Sequence, residues 1–314
     1  MAWRVYGQAA DKDTVNATAT ALRNLGEYLR QKHQMRNICN VTREVAAKYM
    51  QHLKESDYAT STQANYVSRI NQVYRHFGRE DITRVFGNPR DHGITRDRSD
   101  QTDPRIQKAN PEQAINDFKA LMEQKGGFRA EAVRIVTSLQ RDLGLRLEES
   151  LKLKVTDKSI ETAERTGEIR IEKTKGNRTR MVPVSEKALK ALKEARDWQK
   201  EYTASANIPT SMSYQQMAKF VKNQYASFKE HAGLDRFGPH GNRHAYAQER
   251  FIQLTGEQCP LASGRFEEDN IRAIAESRGV SMDEAREIDS QTRAEIAEEL
   301  GHGRDEITRT YLGR

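Results

Sequence analysis

The last fifteen residues of the chain bring together side chains that could carry out nucleophilic chemistry. The stretch LGHGRDEITRTYLGR (300–314) holds His302 and Tyr311, with Arg304, Arg309 and Arg314 interleaved. A tyrosine hydroxyl is a weak nucleophile at its ordinary pKa, so it needs a positive surrounding and a nearby proton acceptor. The arginines and the histidine of this stretch are the residue types that could supply both.

Three earlier motifs hold further candidates. GLRLEES contains Arg146 and, one helical turn later, Glu149; the turn TKGNR contains Lys175; GPHGNRHAYAQERF contains His240 and Arg243. Taken singly, each has an ordinary explanation. Arg146 and Glu149 fit a surface ion pair at i,i+3, Lys175 a turn lysine and His240 a helix-capping residue.

His240 and His244 are four residues apart, a spacing that two metal ligands on one helix can have. The motif HGNRH lacks the interior glutamate of a zinc-protease helix, however, and no third ligand has a matching spacing. The sequence therefore predicts neither a metal site nor any other cofactor.

The collinear order of these residues is more informative than any one of them. An arginine, a hairpin lysine, His-x-x-Arg, Gly-His and a late tyrosine follow one another in a pattern that resembles the tyrosine recombinase (phage integrase) family. The stretch STQANYVSRINQVYRHF is similar to the third helix of that family's N-terminal core-binding domain. The resemblance covers nearly the whole chain. It implies a metal- and ATP-independent enzyme that cuts and rejoins DNA site-specifically through a 3′-phosphotyrosyl intermediate.

The chemistry of strand cleavage explains why such residues are needed. Attack on a phosphodiester by the Tyr311 hydroxyl builds negative charge on the non-bridging oxygens. Arg146 and Arg243, planar and always protonated, suit a bidentate clamp on those oxygens. His240 titrates near neutrality and is our candidate acid/base. Lys175 on its hairpin could protonate the leaving 5′-oxygen.

Two residues have supporting roles in this prediction. His302 would donate a hydrogen bond to the phosphate, and Glu149 would orient its neighbours rather than react. Tyr311 would reach, on a late segment, a site that is assembled from earlier ones.

Composition agrees with a DNA-binding protein. The 314 residues carry a net charge of +7, and 31% of them are charged. Residues 254–299 hold twelve Asp/Glu and five Arg, so the remainder is basic at about +14. A basic body with one acidic segment suggests a polyanionic partner that avoids this segment, although chance segregation on a solvated surface gives the same pattern.

The cellular location follows from simple absences in the sequence. No apolar run approaches the length of a membrane span, and the N-terminus lacks the apolar core of a signal peptide. Cys39 and Cys259 match no metal spacing, so we predict two reduced thiols. These features predict a cytoplasmic protein, associated with a prokaryotic nucleoid.

Hydrophobic periodicity and chain length predict two domains, mainly α with a small β-hairpin. The linker between them would let them close on double-stranded DNA as a C-shaped clamp, as the resemblance also implies. Residues 1–87 would form a helical, SAM-like core-binding domain, 88–110 a linker, and 111–314 the catalytic domain. Within the first domain, Thr42 is a plausible N-cap, and Thr60 with Gln63 fits a capping box. The DNA-contact candidates are basic residues of the helix, linker and hairpin: Arg69, Arg75, Arg96, Arg98, Arg178 and Arg180.

Two features depart from the family pattern. Only three residues follow Tyr311, and 58 residues separate Arg243 from His302, more than the family usually has. The excess is the acidic segment 254–299, which reads as two extra helices. We expect this segment to face away from DNA and to contact a neighbouring protomer or a basic accessory protein, in place of a longer tail. The alternative is a family-specific surface decoration that has no partner.

Three alternatives remain open from the sequence. A type IB topoisomerase and a hairpin-forming telomere resolvase share the chemistry but do not exchange partners. A non-catalytic DNA-binding regulator on the same scaffold would lack the chemistry, which the intact residue set argues against. The interpretation we favour is an integrase, self-associating on DNA as a dimer on one site and a tetramer in synapsis, and typical of mobile genetic elements.

Overall fold

The computed structural model describes residues 12–94, 107–172, 179–302 and 308–313. The chain divides into two compact units, residues 1–98 and 99–314. The described residues form helices and one two-stranded antiparallel sheet. The predicted fold class, mainly α with a small β-hairpin in the second unit, is confirmed.

The first unit is a small helical domain. Its helices are α1 (Lys12–His33), α2 (Arg43–Lys54), α3 (Thr60–His76) and α4 (Glu80–Phe86), with 3-10 turns at Ile38–Asn40 and Pro89–His92. Thr42 caps α2 as predicted, because its side chain accepts the N–H of Val45. The capping box at α3 was wrong: Ala59 is the N-cap, and the side chain of Gln63 donates to the Tyr58 carbonyl instead.

The second unit is larger, and its elements surround one buried helix. They are α5 (Glu112–Lys125), α6 (Gly127–Leu143), α7 (Leu147–Lys152), α8 (Asp157–Thr166), β1 (Glu168–Ile171), β2 (Arg180–Pro183), α9 (Glu186–Glu201), α10 (Tyr214–His231), α11 (Pro239–Thr255), α12 (Pro260–Ser263), α13 (Glu267–Arg278), α14 (Met282–Glu299) and α15 (Arg309–Leu312). Helix α6 packs against α5, α9 and α11. Its residues Val133, Val136 and Leu139 are fully buried, as expected for a helix with neighbours on several sides.

The sheet brings one arginine beneath the C-terminal end of α14. β1 and β2 pair antiparallel, with Glu168 opposite Pro183 and Ile171 opposite Arg180. Side chains alternate between buried and exposed along both strands, as the two-residue period of a strand requires. Because β2 packs on α14, Arg180 lies on the buried side, next to the last turn of that helix.

The acidic segment 254–299 contains α12, α13 and α14. Helix α14 packs on α11 and β2 through residues that include the buried Ile296 and Ala297. Its other face carries exposed acidic residues such as Glu295 and Glu298. The segment is thus part of the fold around the late tyrosine, while its charge lies mainly on the outer face.

Candidate active site

The start of helix α11 is held in one position by Asn110. Pro239 occupies the first turn, where its missing N–H costs nothing. The amide of Asn110 donates to the carbonyl of Gly238 and to the side chain of Asn242. A Cβ at Gly241 would lie 2.1 Å from the Asn110 side-chain oxygen, so this close approach requires glycine.

Arg243, in the second turn of α11, is a fully buried guanidinium at 0% exposure. It donates to two backbone carbonyls, those of Gly144 and Leu300. Its Nε lies 3.2 Å from the Tyr311 hydroxyl, and its Nη2 lies 3.1 Å from Nε2 of His302. Arg243 therefore joins α11 to both late residues that the sequence singled out.

Tyr311 lies in α15 and is itself 3% exposed. Three imidazole rings surround its own ring, with centroids 5.7 Å away for His240, 5.4 Å for His302 and 4.4 Å for His244. The structure thus brings Tyr311, Arg243, His240 and His302 together, although they come from three separate stretches of the chain.

Arg146 and Glu149 form a buried charge network with Arg180. Glu149 accepts from the Arg146 backbone N–H at 2.9 Å and from the Arg146 guanidinium at 2.7 Å. Its carboxylate also pairs with Arg180 at 2.8 Å, and the Glu149 and Arg180 side chains are 4% and 3% exposed. Burial alone would raise the pKa of Glu149, but the hydrogen bond and charge of Arg180, together with Arg146, lower this pKa to about 2. Glu149 is therefore ionised at neutral pH, and its carboxylate holds the Arg146 side chain in place.

The side chain of Arg180 is buried and does not reach the protein surface. Its Nε donates to the carbonyl of Glu299 at 2.6 Å, and the residue is 6% exposed. All three guanidinium nitrogens of Arg180 donate within the protein, two of them to the buried carboxylate of Glu149, so binding to phosphate would break this ion pair. We correct the predicted DNA contact: Arg180 is a brace within the site.

The site keeps its histidines neutral. Crowding by the surrounding protein and the charges of Arg243 and Arg146 lower the pKa of His240 to about 4, even though part of its side chain is exposed. The same causes lower the pKa of His302 to about 3. His244 is buried, and its pKa is also lowered to about 3. All three imidazoles are therefore neutral at pH 7.

Burial acts in the same direction on Arg243, where it also disfavours the charged form, but not enough to neutralise the guanidinium. Desolvation lowers the pKa of Arg243 to about 10, partly offset by the Tyr311 hydroxyl. This value is well above neutrality. A group that is cationic at neutral pH thus lies in contact with the tyrosine hydroxyl, beside neutral imidazoles.

The structure describes only two of the remaining predicted residues. Arg75 is exposed at the end of α3, and Arg69 is half-buried on the same helix. The other four candidates lie outside the described residues: Arg96, Arg98, Lys175 and Arg178.

Sequence reasoning missed four residues that build the site: Asn110, His244, Gln248 and Glu299. The carbonyl of Tyr311 accepts from Gln248, which also bonds to Gln107. Glu299 accepts from the Tyr246 hydroxyl and from Arg250. For His244 and Gln248 a signal existed, because they follow His240 at i+4 and i+8, on the face of α11 that carries it.

The described residues contain no group of three or more His, Cys, Asp and Glu side chains arranged to hold a metal ion. No helix in the described part of the chain has the length and apolarity needed to cross a membrane.

Comparison with known proteins identifies the class. Residues 111–251 match the model of the phage integrase family and form a domain of that family. The resemblance to the tyrosine recombinases is thereby confirmed. A comparison with curated protein sequences returns no match.

Several solved structures share the fold. The Tn1549 transposon integrase in complex with transposon right end DNA is similar at a TM-score of 0.58 and 14% identity, over 100% of this chain and 95% of that one. The XerH site-specific recombinase bound to difH substrate is similar at a TM-score of 0.56 and 16% identity, over 100% of this chain and 82% of that one. A lambda integrase tetramer bound to a Holliday junction is similar at a TM-score of 0.56 and 11% identity, over 99% of this chain and 74% of that one.

The Glu149 network generates a stability prediction. Glu149→Gln should lower the free energy of unfolding by about 3–5 kcal/mol, because it leaves the buried Arg180 without a counter-charge. The control Glu148→Gln removes an exposed pair with Lys152 and should cost less than about 1 kcal/mol. Urea unfolding at pH 7 measures both.

The pH dependence provides the check on this interpretation. Because the pKa of Glu149 is lowered, its contribution is complete above its unfolded value near 4.5 and is lost as pH falls towards about 2. The difference between wild type and Glu149→Gln should therefore shrink over that range. A difference that is equally small at pH 7 would contradict the charge network.

Proposed function

We propose that the chain is a site-specific DNA recombinase that cuts and rejoins DNA through a covalent 3′-phosphotyrosyl intermediate. The observation that carries the proposal is the contact between the Tyr311 hydroxyl and the buried guanidinium of Arg243, with His240 and His302 beside it. The phage integrase family domain over 111–251 supports the same conclusion.

In the proposed cleavage step, the oxygen of Tyr311 attacks phosphorus and the bond from phosphorus to the 5′-oxygen breaks. Arg243 and Arg146 would stabilise the negative charge that develops on the non-bridging oxygens. The leaving 5′-oxygen takes a proton, for which Lys175 is the candidate by family resemblance. The phosphotyrosyl ester preserves the energy of the broken bond, so attack by a 5′-hydroxyl rejoins the strand without ATP or a metal.

The nucleophile must lose its proton during this attack. Neutral His240 is the proposed acceptor, and its lowered pKa leaves it unprotonated at neutral pH. His302, within 3.1 Å of Arg243 Nη2, would complete the set of groups around the phosphate. As the phosphate enters, Arg243 would exchange its bond to the Tyr311 hydroxyl for one to a phosphate oxygen.

The partner in this proposal is double-stranded DNA. Exposed Arg75 and, on the same helix, Arg69 are proposed backbone contacts, since phosphate binding depends on Lys and Arg side chains. The solved structures include a lambda integrase tetramer on a Holliday junction and XerH on its substrate. For this chain we propose the same form of action, a dimer on one site and a tetramer in synapsis.

The first test concerns the nucleophile. Tyr311→Phe should bind DNA with unchanged affinity but form no covalent adduct, because only the attacking oxygen is removed. A suicide substrate in EDTA, followed by denaturing electrophoresis, measures the adduct. Tyr202→Phe is the matched control, since Tyr202 packs on Phe128 and Trp198, outside the site. An adduct with Tyr311→Phe, or a strict need for a divalent metal, would contradict the proposal.

The second test concerns the clamp. Arg243→Lys should slow single-turnover cleavage by roughly a hundredfold or more, because an ammonium lacks the planar set of donors that binds both carbonyls and can also reach the phosphate. Arg141→Lys serves as control: its side chain is 11% exposed and pairs with Glu112 and Glu249, away from Tyr311. Thermal unfolding establishes that both variants fold. Normal cleavage by Arg243→Lys would exclude the clamp.

The third test uses pH. Because the pKa of His240 is lowered to about 4, the free protein keeps this group able to accept a proton down to roughly pH 5. The second-order rate constant for cleavage should therefore show no acid limb near 6.5, the ordinary value for histidine. His240→Asn should cleave slowly throughout the same pH range. An acid limb at 6.5 in the wild type would show that the acceptor is not His240 in this environment.

A further inference from the structure

The helix that carries Tyr311 is too short to hold its own position. Helix α15 has four residues, and an isolated helix of that length does not form in water. It packs against α11 and α12, and Leu312 is fully buried among residues of the second unit's core. The position of the Tyr311 hydroxyl therefore depends on the surface beneath residues 308–313.

One arginine of α14 reaches that surface. Nη1 of Arg293 donates to the carbonyl of Gly313 at 2.9 Å, and its Nε donates to Asp289 at 2.6 Å. The Arg293 and Asp289 side chains are only 12% and 7% exposed. A hydrogen bond from a charged donor is stronger than one between neutral groups, so this contact fixes the chain two residues beyond Tyr311.

The buried ion pair between Arg293 and Asp289 leaves part of its hydrogen-bonding capacity unused. Nη2 of Arg293 and Oδ1 of Asp289 are buried and have no hydrogen-bond partner among the described residues. A buried ion pair contributes little to stability compared with apolar residues of the same volume. Outside α14, the described contacts of the Arg293 guanidinium include the carbonyl of Gly313 and the ring of Phe251 in α11, with Cζ 5.8 Å from the ring centroid. The directional hydrogen bond to Gly313 points to positioning of the segment that carries Tyr311.

Gly313 allows the close approach that this contact needs. Its φ of +86° lies in the region that glycine adopts freely. A Cβ at this position would lie 3.0 Å from the backbone nitrogen of Leu261, in α12. A side chain at 313 would therefore push the segment away from α12.

We infer that Asp289, Arg293 and helix α12 form a seat for the segment 308–313, and that Arg293 is a positioning residue for the nucleophile Tyr311. The inference rests on the proposed function for the role of Tyr311. All parts of the seat come from the acidic segment 254–299. The inner face of that segment thus serves the active site, whatever its outer face contacts.

Hydrogen–deuterium exchange tests the seat without DNA. The amides of Tyr311, Leu312 and Gly313 donate to Thr308 and Arg309 carbonyls, bonds that last only while the segment is seated. Arg293→Gln should make these amides exchange roughly tenfold to a hundredfold faster, as expected for loss of a charged hydrogen bond. Amides of α6 should exchange at the wild-type rate.

Three further variants sharpen the experiment. Arg286→Gln, on the same helix but 46% exposed and paired with Glu268 and Asp283, should leave exchange at 311–313 unchanged. Arg293→Lys keeps a charged donor and should restore most of the protection. If Arg293→Gln does not fold, Gly313→Ala displaces the same segment by crowding Leu261 and should give the same acceleration.

Cleavage kinetics complete the test. Arg293→Gln should lower the single-turnover cleavage rate by a similar factor at saturating protein, with DNA affinity unchanged. Wild-type exchange rates in Arg293→Gln, or equal acceleration in Arg286→Gln, overturn the seat. A wild-type protein that forms no adduct with DNA overturns the proposed function alone, since exchange reports on the seat independently.

Discussion

The second unit is organised around one buried positive charge. Arg243 is fully buried, and moving a guanidinium out of water is unfavourable unless its donors are satisfied. Two of the partners are the carbonyls of Gly144 and Leu300, the C-cap residues of α6 and α14. Helix C-termini carry partial negative charge, so two helix ends stabilise the cation. This constraint fixes where α6, α11 and α14 meet.

Further contacts hold α6, α11 and α14 together around Arg243. Gly144 has a φ of +61°, and a Cβ there would lie 2.5 Å from the Tyr246 ring. Tyr246 in turn donates to Glu299, the last residue of α14, and Arg180 donates to the carbonyl of Glu299. A second layer of buried polar contacts thus ties the end of α14 to the rest of the site, and through it the Leu300 carbonyl that Arg243 needs.

The acidic segment gains a physical explanation from this arrangement. Its outer residues are exposed carboxylates, which suits a surface that avoids a polyanion. Its inner residues provide Glu299 and Arg293, which contact the site or the segment that carries Tyr311, and it ends next to Leu300, whose carbonyl binds Arg243. The sequence indicated the charge and the helices but not the inner role, because net charge says nothing about which side chains face inward. Contact with a neighbouring protomer stays a prediction.

The sequence by itself predicted the fold class, the resemblance to the phage integrase family, which residues 111–251 confirm, and a set of candidate site residues. Hydrophobic periodicity predicted the helices and the hairpin, because a side chain's face follows from its position along a helix or strand. The order from Arg146 to Tyr311 indicated the family. Only the tertiary structure decided that Arg180 is a brace, that Glu149 is a buried anion, and that Asn110, His244 and Gln248 hold the site together. Burial and pairing depend on elements far apart in the chain, such as β2, α7 and the end of α14 at Arg180, and a local pattern carries no information about contacts at that separation.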